Sequence, residues 1–485
     1  MAQNKFSRRG ALRALTFAGS AGVGAAVLAA CGEATVITKT EIVEVPVERV
    51  VEVVKEVAVE VEKQVVVEKI VEVRAKTQSA KITYWMQQWD DGVAAFQGAI
   101  DSFEAANPMY TVEMVPIGYG DLFAKFYPSI VTETSGDVVY TYSEWWKPID
   151  VSKVLHPMTP TLRSRSEFQG IFFPAALESV SSLSDEFYVI PLICGMGGPI
   201  CIVNLDTAEA AGINPDTMND SWETMEAAFN QGTEKDGDKF VTGGINISWS
   251  RLGAWVQAMV QQLGSSYYDV DTELFDWNTS EAEAAVRFTT DVMRAYNSRE
   301  LIADADGNAM AKGTHLTDID GLWKISSYGN AFPDLNLAAM AMPAFPGAKE
   351  LVYESDSVAS ITIPKFVQGA KLEAAQSFMV HLWQPENLAA FGEFYSGSHS
   401  VKQVYEDPNF LNSKWGGVGA AFVPEEVWPF ITYPPHRVAA LSGEWSAPLE
   451  KVTYDGMDPK DAAFEVQERT SLLNKEATDR FKAGG

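Results

Sequence analysis

Lys81-Ile82-Thr83-Tyr84-Trp85-Met86 opens the stretch whose reading decides the fold. It reads as a short apolar strand. Val93–Ala106 follows with helical spacing and stops at Asn107-Pro108, because a residue before proline is biased away from the helical region. Tyr110–Pro116 alternates again, Asp121–Thr134 is amphipathic, and Gly136-Asp137 leads into an apolar run at Val138–Tyr142. This β-α-β-α-β order with short loops predicts an α/β layer, helices packed on a sheet. Working outward, the patterning predicts helices at Glu281–Asn297, Lys371–Trp383 and Asp461–Asn474. It predicts strands around Ile200–Val203 and at Gly244–Ile247, Leu337–Ala341 and Ser357–Ile363. No internal repeat is visible.

Upstream of this body lie two segments of different character. Residues 1–31 read as an export signal: Lys5, Arg8, Arg9 and Arg13 stand without any acid, and the apolar stretch Leu15–Ala30 follows. Its 16 residues fall short of the ~20 that a membrane-spanning helix needs. Ser7-Arg8-Arg9-Gly10-Ala11-Leu12-Arg13 resembles the twin-arginine export signal, with Ala11 where that signal prefers Phe. Leu28-Ala29-Ala30-Cys31 resembles a lipobox, which implies cleavage before Cys31 and lipidation of its sulfur; a plain secretory signal that contains a Cys is the alternative. Each buried CH₂ of an acyl chain contributes about 0.8 kcal/mol, so more than one chain anchors stably.

Residues 32–79 are a Val/Glu-rich spacer. From Glu44 to Glu72 every Glu sits at an even position, and the odd positions are mostly Val, which is the strand period. A helix would stack Glu44, Glu48, Glu52, Glu56 and Glu60 at i,i+4, where like charges repel. The rival is a heptad-like set, Val47, Val50, Val54, Val57 and Val61, weakened by Pro46 and by loss of register after Val61. An extended spacer of 48 residues reaches on the order of 150 Å. As a tether it needs no binding role.

The whole chain of 485 residues carries 37 Lys+Arg against 65 Asp+Glu, net −28. Residues 1–79 hold 11 of the basic and 10 of the acidic groups, so 26 basic and 55 acidic groups fall in 80–485. The folded part is therefore strongly acidic, which suits a soluble, self-repelling surface and excludes a nucleic-acid partner, since no basic surplus exists to neutralise phosphates. Three Cys make no disulfide scaffold, and five scattered His give no zinc set. Asp304-Ala305-Asp306-Gly307-Asn308 begins like a calcium loop, but Ala309 stands at its Gly position and His315 at its closing Glu. No nucleophile-elbow, zinc-protease or phosphate-loop motif occurs, and His399 beside Ser398 makes no triad. No metal and no cofactor is expected.

Several segments, in order, resemble extracellular solute-binding proteins of ABC importers, the sugar-binding group related to maltose-binding protein. Asn204-Leu205-Asp206, Ala211-Gly212-Ile213, Pro215 and Ser221-Trp222-Glu223 resemble that group's YNxxxFxxxGIxxPxxTWxE stretch, with Val203 in place of its Tyr. Asp318-Ile319-Asp320-Gly321-Leu322-Trp323 resembles its AMxxxGxW segment. Ala341-Met342-Pro343-Ala344-Phe345-Pro346-Gly347 resembles its return to the first lobe, and Glu373-Ala374-Ala375-Gln376-Ser377-Phe378 its EAAxxFxxFL helix. The resemblance runs from about residue 80 to the C-terminus. It implies a two-lobed periplasmic-binding-protein-like α/β fold of type II, whose hinge-linked lobes close on a ligand. It assigns about 80–191 and 345–395 to the first lobe, and 192–344 and 396–485 to the second. It also implies an ABC permease as partner, reached from the outer face of the membrane by a lipid-anchored receptor.

Sugars offer flat C–H faces and many hydroxyls, so a receptor needs aromatic platforms with a few carboxylates and other polar groups. The carboxyl ends of strands line the crevice of an α/β sheet. Trp89 and Asp90 follow the first strand, Tyr119 the second, and Glu144 and Trp145 the third, so these loops converge on one rim. On the second lobe Trp323 occupies the GxW position, Trp249 lies in a Ser-Trp-Ser loop, Asp356 precedes a strand and Trp445 starts a late helix. The bland alternative for each Trp is core packing, and for Trp445 it is the better one. Cys194 and Cys201 flank Gly195-Met196-Gly197-Gly198-Pro199 near the expected hinge, either as a disulfide or as two buried thiols.

Three functions stay open at this point: a carbohydrate receptor for an importer, an extracellular glycan-active enzyme whose bare carboxylate pair has no sequence signature, and a sensing or adhesive binding module without transport.

Overall fold

The structure is a computed structural model that describes residues 78–159, 161–181, 186–193, 200–304, 309–354, 358–394, 399–413, 415–416, 431–433 and 435–483. The export signal with Cys31, the spacer up to Thr77, Cys194 and Asp356 lie outside these residues. Among the described residues no helix is long and apolar enough to cross a membrane, and no group of three or more His, Cys, Asp or Glu could hold a metal ion.

The opening stretch forms β1 (Ala80–Gln87), α1 (Asp90–Ala106), β2 (Tyr110–Ile117), α2 (Tyr119–Val131) and β3 (Val138–Tyr142), the expected order. On β1 the period of two buries Ile82, Tyr84 and Met86 on one face. The chain continues through α3 (Ser143–Trp146), β4 (Ile190–Ile193) and β5 (Ile200–Asn204), then β6 (Asn246–Ile247), α4 (Trp249–Gln262) and α5 (Ser280–Tyr296). It closes with β7 (Thr317–Asp320), α6 (Trp323–Ala331), β8 (Leu337–Ala341), β9 (Ala359–Thr362), α7 (Gly369–Leu382) and α8 (Pro459–Ala483). The expected strand at Gly244–Ile247 is reduced to β6.

These strands make two separate sheets. The first has the order β2-β1-β3-β9-β4. β1 runs parallel to β2 (Ala80 opposite Tyr110) and to β3 (Tyr84 opposite Val138), while β9 runs antiparallel to β3 and β4. The second has the order β8-β5-β7-β6, with β5 antiparallel to both neighbours and β7 parallel to β6. The chain passes from the first sheet to the second between β4 and β5 and returns between β8 and β9. A parallel pair, Tyr353–Glu354 with Ile431–Thr432, ties the return to the late chain.

Each sheet has its own core. In the first, Phe96 stacks on Phe391 at 4.3 Å, and Tyr84 meets both Phe96 and Phe378 at 5.5 Å. Each such pair contributes about 0.5–1.5 kcal/mol beyond its buried area. Buried Asp137 accepts from the Thr83 amide at 2.9 Å and from Lys371 Nζ at 3.0 Å, joining β1, the start of β3 and α7. In the second core, Tyr267 stacks on Trp277 at 4.2 Å, and Trp255 meets Phe345 at 5.6 Å. The lobe limits drawn from sequence need two corrections. Val401, Val404 and Phe410 pack in the first core, while Phe345, Tyr353 and Val358 pack in the second. Apolar contacts, not the order of secondary elements, decide on which side a connecting segment is buried.

Candidate functional site

The first wall stands at the carboxyl ends of β1, β2 and β3, adjacent strands of one sheet. Gln87 closes β1 and accepts a hydrogen bond from Tyr142 Oη, at the end of β3, at 2.7 Å. Trp89 caps α1, half-buried, with its ring edge-on to Tyr140 at 5.9 Å. Asp90 is the first residue of α1. Tyr119 starts α2 and is 48% exposed; its ring lies 5.6 Å from Tyr142 and 5.5 Å from Trp145.

Trp145 differs from the sequence expectation of a surface platform. It is only 4% exposed, because Tyr119, Phe123, Phe126 and Tyr142 surround its ring at 5.0–5.8 Å. It backs the wall, and Tyr119 fronts it. Glu144 is buried beside it in α3.

The second wall is built on β7 and α6. Thr317-Asp318-Ile319-Asp320 is a central strand that carries two acids. Asp318 is buried and accepts from Asn246 Nδ2 at 3.2 Å and from Tyr328 Oη. Burial, reinforced by the charge of Asp320, pushes its pKa up to about 6. Asp320 accepts from Arg251 Nε at 2.8 Å and from the Gly321 amide at 2.8 Å. The Arg251 guanidinium lies over the Trp323 ring, 4.8 Å from its centroid. Gly321 lets that ring lie close: a Cβ there would sit 1.7 Å from it. Trp323 itself belongs to the second sheet's side of the chain yet packs, partly buried, against the first core. It therefore stands where the two lobes meet.

The remaining candidates separate. Trp249 starts α4 and sets its ring edge-on to Tyr454 at 5.8 Å, within the second lobe. Trp445 is no wall residue: it is fully buried in the second core, edge-on to Trp277 at 5.0 Å. The indole offers so much apolar surface that core burial outweighs the loss of its N–H partner. Cys201 is a free, buried thiol on β5, its pKa driven up by burial. The sequence reading named Trp323 but missed Arg251, Asp320 and Asp318. Their signal was two acids in a strand that pairs on both edges, where unpartnered charge is costly.

Two α/β lobes, each presenting aromatic and polar groups at one edge, define a two-lobed binding protein. The chain belongs to the bacterial extracellular solute-binding protein family, whose sequence profile matches residues 98–415. Members are receptors for solutes, so the protein is a binding protein and not an enzyme. No curated protein matches it in sequence. Its fold is similar to that of an ABC transporter solute-binding protein from Thermotoga lettingae bound with α-D-tagatose, at 19% identity and TM-score 0.68, over 82% of this chain and 100% of that one. It is also similar to the GacH receptor of Streptomyces glaucescens, solved unliganded and with acarbose, at 17% identity and TM-score 0.67, over 82% and 99%. A third is UgpB from Mycobacterium tuberculosis in complex with glycerophosphocholine, at 19% identity and TM-score 0.66, over 83% and 99%.

Proposed function

We propose that the protein is a lipid-anchored extracellular receptor that binds a carbohydrate between its lobes and delivers it to an ABC permease. The observation that carries this reading is Trp323, an indole held by Arg251 and Gly321 against the opposite lobe's core. A flat aromatic face flanked by charged groups suits a sugar ring, which stacks its C–H face and hydrogen-bonds through its hydroxyls. Trp89, Asp90 and Tyr119 serve the ligand from the first lobe, with buried Glu144 and Trp145 as backing. Trp323, Arg251 and Asp320 serve it from the second, with Trp249 and Asp356 kept as further candidates from the sequence. The tagatose and acarbose complexes of proteins with this fold are in keeping with a sugar ligand. Cys31 is the lipidation site after twin-arginine export, and residues 32–79 are the tether that lets an anchored receptor move toward its permease.

A thermal-shift screen of the purified protein tests the ligand class. The panel comprises mono- and oligosaccharides with glycerophosphocholine as the non-sugar probe. A ligand at about 100-fold its Kd stabilises by about 2.7 kcal/mol. At least one saccharide is expected to raise the melting temperature and to be recovered chemically unchanged. A response to glycerophosphocholine alone would replace the carbohydrate reading, and turnover of the sugar would restore an enzyme.

A further inference from the structure

The end of the last helix makes a further meeting of the two lobes. α8 is held in the second lobe by Ala462, Ala463 and Val466 in its core. Further along, the side-chain amides of Gln467 and Asn474 donate to the Phe275 and Glu273 carbonyls at 2.5 and 2.6 Å. The last turn reaches out of that lobe. The Arg480 guanidinium lies 5.7 Å from the ring of Tyr127 on α2, a residue packed against the first core. Phe481, next to it, has the Arg437 guanidinium over its ring at only 3.5 Å. Arg437 is half-buried, and its Nη1 donates to the Lys147 carbonyl at 3.2 Å. Lys147 directly follows the first-core residues Trp145 and Trp146. The neighbours of Arg437 belong to the other side: Val438 is buried in the second core, and His436 is buried against Tyr268 and Phe275 at 5.9 and 5.6 Å. Charge from both lobes bears on this one cation. Burial lowers the pKa of Arg437, while Glu273 of the second lobe and Asp150 of the first raise it.

We propose that Arg437, set in place by Phe481, is a latch across the lobe junction that stabilises the arrangement in which the lobes touch, whatever the ligand is. This rests on the lobe closure proposed above and not on the identity of the solute. A contact made in one arrangement and lost in another shifts their populations by its free energy. A guanidinium suits the task because it is planar: its face covers the Phe481 ring while an N–H on its edge meets the carbonyl. Phe481 fixes that plane before the lobes meet, so little rotamer freedom is lost when the bond forms. Arg480 on Tyr127 adds a second contact in the same direction. The competing reading is that the end of α8 only completes the second lobe. Arg437 and Phe481 would then bear on stability and not on how the lobes are arranged.

The test is single-molecule energy transfer in the ligand-free, full-length protein. The dyes are coupled to azide-bearing residues at positions 105 and 238, exposed sites on α1 and in the Glu234–Thr242 hairpin, so the native cysteines stay unlabelled. The wild type is expected to populate both the separation of the structure and a more open one. Arg437→Lys and Phe481→Ala should each lower the ratio of the first to the second at least about fivefold, as loss of a charged hydrogen bond implies. Phe481→Tyr keeps the ring face and retains the ratio. The double variant should fall no further than Arg437→Lys alone, because Phe481 acts through Arg437, whereas a merely structural Phe481 would add its own effect. Gln467 and Asn474 hold α8 without its last turn, so the Phe481 variants are expected to melt close to wild type and to decide the matter even where Arg437→Lys does not fold. An unchanged ratio in folded Phe481→Ala overturns the proposal, and so does an effect of Phe481→Ala that persists undiminished beside Arg437→Lys. One separation common to the wild type and every variant also overturns it. The same dye pair titrated with saccharides then shows whether lobe closure falls with it.

Discussion

At Trp323, ligand contact and structural support are separable. The ring is only partly buried, so its truncation removes little from either core, yet it occupies the junction of the lobes. Trp323→Ala is expected to weaken the cognate sugar at least about 25-fold, the equivalent of ~2 kcal/mol, while the protein stays folded. A core Trp would instead lose about 3–5 kcal/mol of stability. Arg251→Ala is expected to weaken binding as well, with Arg251→Lys restoring only part, because an ammonium keeps the charge but lacks the flat guanidinium that covers the indole. Calorimetry beside a melting curve reads both quantities, and unaltered affinity in a folded Trp323→Ala removes the residue from the site. Asp318 offers a second test. Its folded pKa, about 6, lies above the ordinary carboxylate value, so the folded protein holds this proton more tightly than the unfolded chain does. The ionised group therefore costs stability fully above pH ~6, and the cost disappears as the pH falls below ~4. Asp318→Asn lacks the titration. Its stability relative to wild type should be about 1–3 kcal/mol more favourable at pH 7.5 than at pH 4, read by denaturant melts at both values. A difference that does not change with pH would show that Asp318 does not titrate in this window.

At the scale of elements, periodicity carried most of the fold. β1 to β3 and their two helices stand within a few residues of their expected limits, because alternation and helical spacing are local properties that a sheet and its helices merely bury. What failed was long-range. No local signal distinguishes Trp145, walled in by α2 and Tyr142, from Tyr119, which fronts the same wall. Trp445 stands just before a helix and Trp323 begins one, yet one fills a core and the other meets the opposite lobe. Arg251 was invisible because its partners Asp320 and Trp323 lie about 70 residues away in sequence. The spacer makes its own prediction. Deleting residues 32–79 should leave solution affinity unchanged, since β1 begins only at Ala80. Cys31→Ser should release the protein from membranes without unfolding it. Affinity loss in the deletion, or membrane retention of Cys31→Ser after a salt wash, would contradict the tether and the anchor respectively.

For the whole molecule, the proposed function depends on motion. The two cores are joined by the passages between β4 and β5 and between β8 and β9, and a ligand that touches both walls would favour a closed arrangement of the proposed receptor. The groups proposed to bind are divided between the walls, Trp89 and Tyr119 on one and Trp323 with Arg251 on the other, so neither wall alone can account for full affinity. The acid surplus of the folded part keeps such a molecule soluble, but does nothing to choose the ligand. The most direct measurement is the distance between fluorophores placed at Ala105→Cys and Asp238→Cys, exposed positions on α1 and in the second lobe's Glu234–Thr242 hairpin, titrated with the saccharide that raises the melting temperature. The separation should change cooperatively with saturation, and Trp323→Ala should require a correspondingly higher sugar concentration to reach the same endpoint. A saccharide that binds stoichiometrically while the distance stays fixed would contradict a receptor that closes on its ligand.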